Sequence, residues 1–260
     1  MSARFRLLEK LCGIVSTTLV CAATVTCSRT TADLLYATVP DKLVTLQILG
    51  INKVTTTEVG AMGTAGCASL ARSAAGIMYT VCGLGIVKPD QPQQLATVDL
   101  KTGRATPFGT PVMGLAVMGL EFAPDGTLFA VGDTNKASPT FNSLYTADVK
   151  TGTFTRVGST GAPEFFMDFA FDRNGTLYGA TSHTLFTIDP KTGTANKVVD
   201  FVGGGLIMGL SFNSNQDRLY ASDWKTPVSA LYSVDIHTGF LTPMAAIGYP
   251  SSHGLVPATP

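Results

Sequence analysis

Asp133, Glu164, His183, Asp223, Trp224 and His253 are the residues whose side chains are best suited to recognition or proton transfer. A carboxylate beside an imidazole can pass a proton or hold a metal ion. The only tryptophan, Trp224, stands in "SDWKTPVSA" between Asp223 and Lys225. An aromatic face flanked by charged groups can hold a sugar or another small polar ligand by stacking and directed hydrogen bonds. The spacing of these residues matches no catalytic motif: there is no G-x-S-x-G elbow, phosphate loop or metal-ligand pattern. We therefore predict no catalytic residue, no resident metal and no cofactor. Residues so far apart in the chain act together only if a repeated scaffold gathers them.

Such a scaffold is written in the sequence. "LYTADVKTG" at Leu144 recurs as "LFTIDPKTG" at Leu185, "LYSVDIHTG" at Leu231 and "LATVDLKTG" at Leu95. Each phrase is a strand entering a turn, and each is followed by a Thr-rich strand such as "FTRVG" at Phe154. A variable loop then leads to a compact apolar strand: "SLAR" at Ser69, "GLEF" at Gly119, "DFAF" at Asp168 and "GLSF" at Gly209. Asp125-Gly126 and Asn174-Gly175 mark hairpin turns into the next strand. The compact strands recur about every 41 to 50 residues, enough for four short antiparallel strands, one propeller blade. Asp99, Asp148, Asp189 and Asp235 each open a D-x-x-T-G turn. One carboxylate per loop is too few for calcium, so each Asp is predicted to cap its own turn.

The two ends complete the count. "LLYATV" at Leu34, "LVTLQ" at Leu43 and "TTTEVG" at Thr55 match the second, third and fourth strands of the unit, and "HGLVP" at His253 supplies the missing first strand. The expected fold class is all-β: a five-bladed β-propeller, with the last blade closed by strands from both termini, which hides the edges that an incomplete blade would leave open. A formal net charge of zero, with 14% charged residues, excludes a nucleic-acid partner.

Arg4, Arg6 and Lys10 precede an uncharged run from Leu11 to Thr26, the order of a secretory signal. Residues 1–27 are read as that signal and 28–260 as one propeller domain, secreted or periplasmic; an ordinary N-terminal strand is the alternative. The run is too short for stable membrane insertion. Val20 before Cys21 and Thr26 before Cys27 fit lipid anchoring poorly. Cys67 and Cys82 flank a hairpin turning at Ala74 and Ala75, a register that sets Arg72 opposite Ile77, Leu70 opposite Tyr79 and Cys67 opposite Cys82. Opposed cysteines in an exported protein point to a disulfide, the alternative being two buried thiols.

The units "LYTADVKTG", "FTRVG" and "MDFAFDRNGTLYGA" resemble the repeats of exported bacterial β-propeller proteins, the quinoprotein-like and YVTN-like propeller group. The resemblance spans Leu34 to Pro257, although the YVTN signature itself is absent. It implies an extracytoplasmic propeller and carries no activity with it.

In such a scaffold, loops joining second to third strands and fourth to next first strands surround one mouth of the channel. The stretches Cys82 to Gln94 and Gly132 to Ser143 are long and polar, suited to form one wall of a pocket with Trp224 across from them. The alternative for Trp224 is packing between blades. Met118, Met167 and Met208 precede the compact strands of three blades, with His253 and Ala68 at the same place in the other two. Three thioethers and an imidazole suit a soft ion such as Cu(I). Strand parity, however, puts Met118 on the face of Leu120 and Phe122, where Met fills a core gap, and that reading is preferred. Two functions follow: a module binding a carbohydrate, small polar ligand or envelope protein, which we favour, or a hydrolase or lyase with an acid-base or metal cluster at the mouth.

Overall fold

The computed structural model describes residues 32–83, 91–132 and 138–259. Asp133, the proposed signal, Cys21, Cys27 and much of the two long loops lie outside them. The described chain forms five antiparallel four-stranded sheets. Blade 1 joins β1 (Asp33–Val39), β2 (Lys42–Gly50) and β3 (Lys53–Ala61) to the last strand, β20 (His253–Pro257). Blade 2 holds β4 (Ala68–Arg72), β5 (Met78–Cys82), β6 (Gln94–Val98) and β7 (Ala105–Pro107). Blade 3 holds β8 (Val117–Phe122), β9 (Leu128–Gly132), β10 (Ser143–Ala147) and β11 (Phe154–Ser159). Blade 4 runs from β12 (Asp168–Phe171) through β13 (Leu177–Ala180) and β14 (Thr184–Ile188) to β15 (Ala195–Asp200). Blade 5 runs from β16 (Leu206–Phe212) through β17 (Leu219–Trp224) and β18 (Ala230–Val234) to β19 (Leu241–Ala246). The five-bladed propeller and its shared closing blade stand as expected, with Ala37 of β1 opposite Leu255 of β20. Among the described residues no helix is long and apolar enough to cross a membrane.

Each blade is sandwiched between two others, so its middle strands bury both faces. Phe129 faces the core shared by blades 3 and 4, while its neighbour Ala130 faces the core shared by blades 2 and 3. This is why "LFAVG" is apolar throughout instead of alternating with polar residues. Five such interblade cores close the ring. Outer strands such as β11 face solvent and carry Thr and Arg.

The repeated turns behave as predicted. Asp99 Oδ1 accepts the N–H of Lys101 at 2.7 Å, and Asp148 and Asp235 accept the matching N–H groups of Lys150 and His237 at 2.7 and 2.8 Å. The glycine that closes each turn donates its N–H to the carbonyl of the same Asp, at 2.7 to 2.8 Å. The backbone N–H groups of Lys150, Lys191 and His237, donated to the side chains, hold the carboxyls of Asp148, Asp189 and Asp235 below their ordinary range.

Cys67 and Cys82 form the expected disulfide, with Cα atoms 3.9 Å apart. The register near the hairpin turn differs from expectation. Arg72 pairs with Met78 rather than Ile77, and Ala71 rather than Leu70 pairs with Tyr79. A bulge between Ala68 and Ala71, where Ser69 has φ 63, takes up the extra residue and restores the register, so Ala68 pairs with Val81. The cysteines meet because the bulge cancels the shift made at the turn.

Candidate functional site

That bulge recurs. The register also slips at Met118 on β8, at Met208 on β16 and beside Gly254 on β20. Its consequence is visible in the cores. Val117, Leu120 and Phe122 all pack against the blade 2 side, Phe166, Phe169 and Phe171 share one core, and so do Ile207, Leu210 and Phe212. A spacing of three and then two replaces simple alternation. The residue after the first core position is turned out of the blade, and the next one lies at the axis.

At the axis the five inner strands meet at Ser69, Gly119, Asp168, Gly209 and Gly254. A Cβ on Gly119 would lie 3.2 Å from Asp168 Oδ1, and one on Gly209 would lie 3.4 Å from the Gly254 nitrogen. Leu120 N–H donates to Ser69 Oγ at 2.6 Å. Phe169 and Leu210 N–H donate to Asp168 Oδ1 and Oδ2, each at 3.0 Å. Asp168 is 1% exposed, and burial pushes its carboxyl well up against the opposing pull of these amides. Glu121, two residues beyond Gly119, is also pushed well up, by burial first and then by the charge of Asp168. Sequence reasoning missed both carboxylates. For Asp168 the available signal was an acidic residue at a place where the other four repeats have only Gly or Ser.

The loops around the mouth line a run of adjacent cavities that share lining residues. Glu164, Phe165, Ser182, His183 and Leu206 line one of about 270 Å³. His183 and Leu206 are shared with a second of about 270 Å³ that reaches Gly203–Gly205. Leu206 continues into a third of about 460 Å³ that also touches Asp223, Trp224 and Lys225. Trp224 in turn borders the fourth, about 370 Å³, whose wall includes Asp41, Cys67 and His253. The result is a curved groove crossing blades 4, 5, 1 and 2.

The groove gathers five of the six predicted residues, in different roles. His183 Nδ1 lies 3.3 Å from Glu164 Oε2, and both side chains are exposed. Asn142, buried before β10, fixes the loop that carries Glu164. Its amide nitrogen donates to the Glu164 carbonyl at 2.7 Å, and its oxygen accepts Phe166 N–H at 2.9 Å. Trp224 is 51% exposed and stands opposite Leu206, itself 39% exposed, in the β16–β17 register. Packing between blades is thus not its role. Asp223, by contrast, is fully buried: Oδ1 accepts Ala230 N–H at 2.7 Å, and Oδ2 accepts the Tyr232 hydroxyl at 2.9 Å. Burial, together with this bond, pushes the Tyr232 phenol up to about 12. Asp223 therefore anchors the loop that presents Trp224. His253 is half-buried, its carbonyl accepts the Thr38 hydroxyl, and burial pushes its imidazole down to about 4, leaving a neutral ring on the groove wall. Among the described residues no group of three or more His, Cys, Asp and Glu could hold a metal.

No family model and no curated protein matches the chain. Solved structures do. A chain in the structure of the nidogen/laminin complex is 14% identical, with a TM-score of 0.55 over 87% of this chain and 98% of its own. TolB from Acinetobacter baumannii is 11% identical, with a TM-score of 0.49 over 88% and 67% of the two chains. A gluconolactonase from Xanthomonas campestris is 17% identical, with a TM-score of 0.46 over 71% and 67%. At such identities the likeness is one of fold alone.

Proposed function

We propose that the chain is an exported propeller that binds a polar ligand with apolar ring faces, carbohydrate being the best-fitting class, in the groove around its mouth. The observation that carries this reading is the exposed Trp224–Leu206 platform, flanked by cavities on both sides and held up by the buried Asp223. A rigid aromatic face loses little conformational entropy on stacking, and the neighbouring Lys225, Asp41 and His183 supply hydrogen-bonding groups. Export accords with the basic and apolar N-terminal sequence and with the disulfide at the groove wall. The test uses intrinsic fluorescence. Trp224 is the only tryptophan, so titration with soluble oligosaccharides should shift or quench its emission saturably. A panel of neutral and acidic oligosaccharides with no effect at millimolar concentration would count against the carbohydrate reading.

The Glu164–His183 contact favours a second reading, acid-base chemistry at the other end of the groove, as in a hydrolase or lyase. Turnover of a bound oligosaccharide that is abolished by His183→Gln would favour it over simple binding.

A further inference from the structure

The bulges that shape the axis also decide where three methionines go. If the inner strands alternated, Met118 would share a face with Leu120 and fill an interblade gap. Instead Val117 takes that place, and Met118 is turned out of the blade. The same happens to Met167 between Phe166 and Phe169, and to Met208 between Ile207 and Leu210. Met118, Met167 and Met208 belong to none of the five interblade cores. They pack on one another, with Phe165 against them.

We propose that Met118, Met167 and Met208, completed by His253, form a binding site for the soft monovalent cation Cu(I) at the mouth of the propeller axis. Thioether sulfurs are soft, neutral donors that select Cu(I) over calcium, magnesium or manganese, and imidazole is a compatible fourth ligand. Of eight methionines in the chain, three stand at one structurally equivalent position of consecutive blades. His253 occupies that position on the next blade around the ring, before Gly254 as Met208 stands before Gly209. Access also has a path. Phe165 both packs on the methionines and lines the cavity of Glu164 and His183, so the cluster lies beneath the groove floor. Plain core packing would account for buried sulfur, but it does not require their turning out of all three blades towards one another.

The test is a competition titration of Cu(I), kept reduced with ascorbate, against bicinchoninate. It uses the full chain with its free thiols blocked by N-ethylmaleimide. We expect one Cu(I) per chain, and an X-ray absorption spectrum showing sulfur as the main neighbour. Leucine matches methionine closely in volume, so Met118→Leu, Met167→Leu and Met208→Leu should keep the fold while each weakens Cu(I) at least tenfold. His253→Gln should weaken it by a similar factor. Stoichiometric binding that survives all three leucine substitutions, a spectrum without sulfur, or no retention by wild type would overturn the site. If the triple variant fails to fold, the single variants and the wild-type spectrum decide alone. Zn(II) run in parallel should not be retained; equal retention would also overturn the assignment.

Discussion

Gly60 and Gly103 lie backbone to backbone across the seam between blades 1 and 2: a Cβ on Gly103 would sit 2.6 Å from the Gly60 carbonyl oxygen. The same contact recurs between Gly158 and Gly193, at 2.8 Å, across blades 3 and 4. The glycine of each D-x-x-T-G phrase is thus more than a turn former. It lets the turn of one blade rest on the outer strand of the preceding one.

Gly103→Ala should therefore destabilise the fold by about 2 to 4 kcal/mol, combining positive-φ strain with a steric clash against fixed backbone. Gly126 provides the comparison. Its φ is 87, but nothing lies within 4 Å of its missing Cβ. Gly126→Ala should show only the conformational part, about 1 kcal/mol. Urea melts of both variants measure the difference, and equal losses would show that the seam contact is immaterial.

The turn-capping carboxylates predict a dependence on pH. The folded pKa values of Asp148, Asp189 and Asp235 are lowered, first by the backbone N–H groups of Lys150, Lys191 and His237. Their contribution is fully present above the ordinary carboxyl value, 3.8, and is lost as pH falls through the lower folded values. The half-buried His253 loses its own contribution at higher pH, as pH falls from 6.5 to about 4. The comparison is therefore wild type against an Asp148→Asn, Asp189→Asn, Asp235→Asn triple variant. Below about pH 4 the difference in Tm between the two proteins should shrink, because protonation removes in wild type what the amides never had. A difference that stays constant down to pH 2 would contradict the capping role.

The blades were legible in the sequence because each repeats the same turn chemistry. Asp caps, closing glycines and an apolar middle strand are local signals, and closure by "HGLVP" followed from counting strands. The bulges were not legible. No residue type forces them: Ser69 and Gly254 reach positive φ where Met118 and Met208 slip without it. They arise from packing five inner strands around one axis, a tertiary demand. The reading of Met118 beside Leu120 leaned on strict alternation and inherited the error, whereas Arg72 missed Ile77 because the turn itself is one residue longer, a shift that the bulge cancels before the cysteines. At the mouth, residue types pointed to Trp224, Glu164 and His183, but not to the difference between an exposed Trp224 and its buried neighbour Asp223.

Reducing the Cys67–Cys82 bridge should lower stability by at most about 3 kcal/mol, the chain-entropy value for a loop of this length. The loss should be smaller in practice, because β4 and β5 already hold the two ends together. Cys67→Ala with Cys82→Ala, followed by denaturant melting, measures it. Cys67 also borders the cavity shared by Trp224 and His253, so the double variant should weaken groove binding more than its small change in Tm implies. Unchanged binding would separate the bridge from the site.

Trp224 gives the sharpest test of the groove, because stability rests on its neighbour Asp223 and binding on the indole itself. Asp223 is buried and satisfied by Ala230 and Tyr232, so Asp223→Ala should leave the Tyr232 hydroxyl and the Ala230 amide without their partner. Its expected effect is a loss of stability of about 2 kcal/mol or more. Trp224 is half open to solvent, and Trp224→Ala should change stability by no more than about 0.5 kcal/mol. If a ligand stacks on the indole, the same substitution should weaken binding by about 1 to 2 kcal/mol, roughly five- to thirtyfold in Kd. Calorimetric titration of the ligand into both variants, beside thermal melts, separates the two effects. A Tm loss in Trp224→Ala comparable to that of Asp223→Ala would make the indole part of the scaffold. Binding undiminished in a stable Trp224→Ala variant would move the site toward Glu164 and His183, at the far end of the groove.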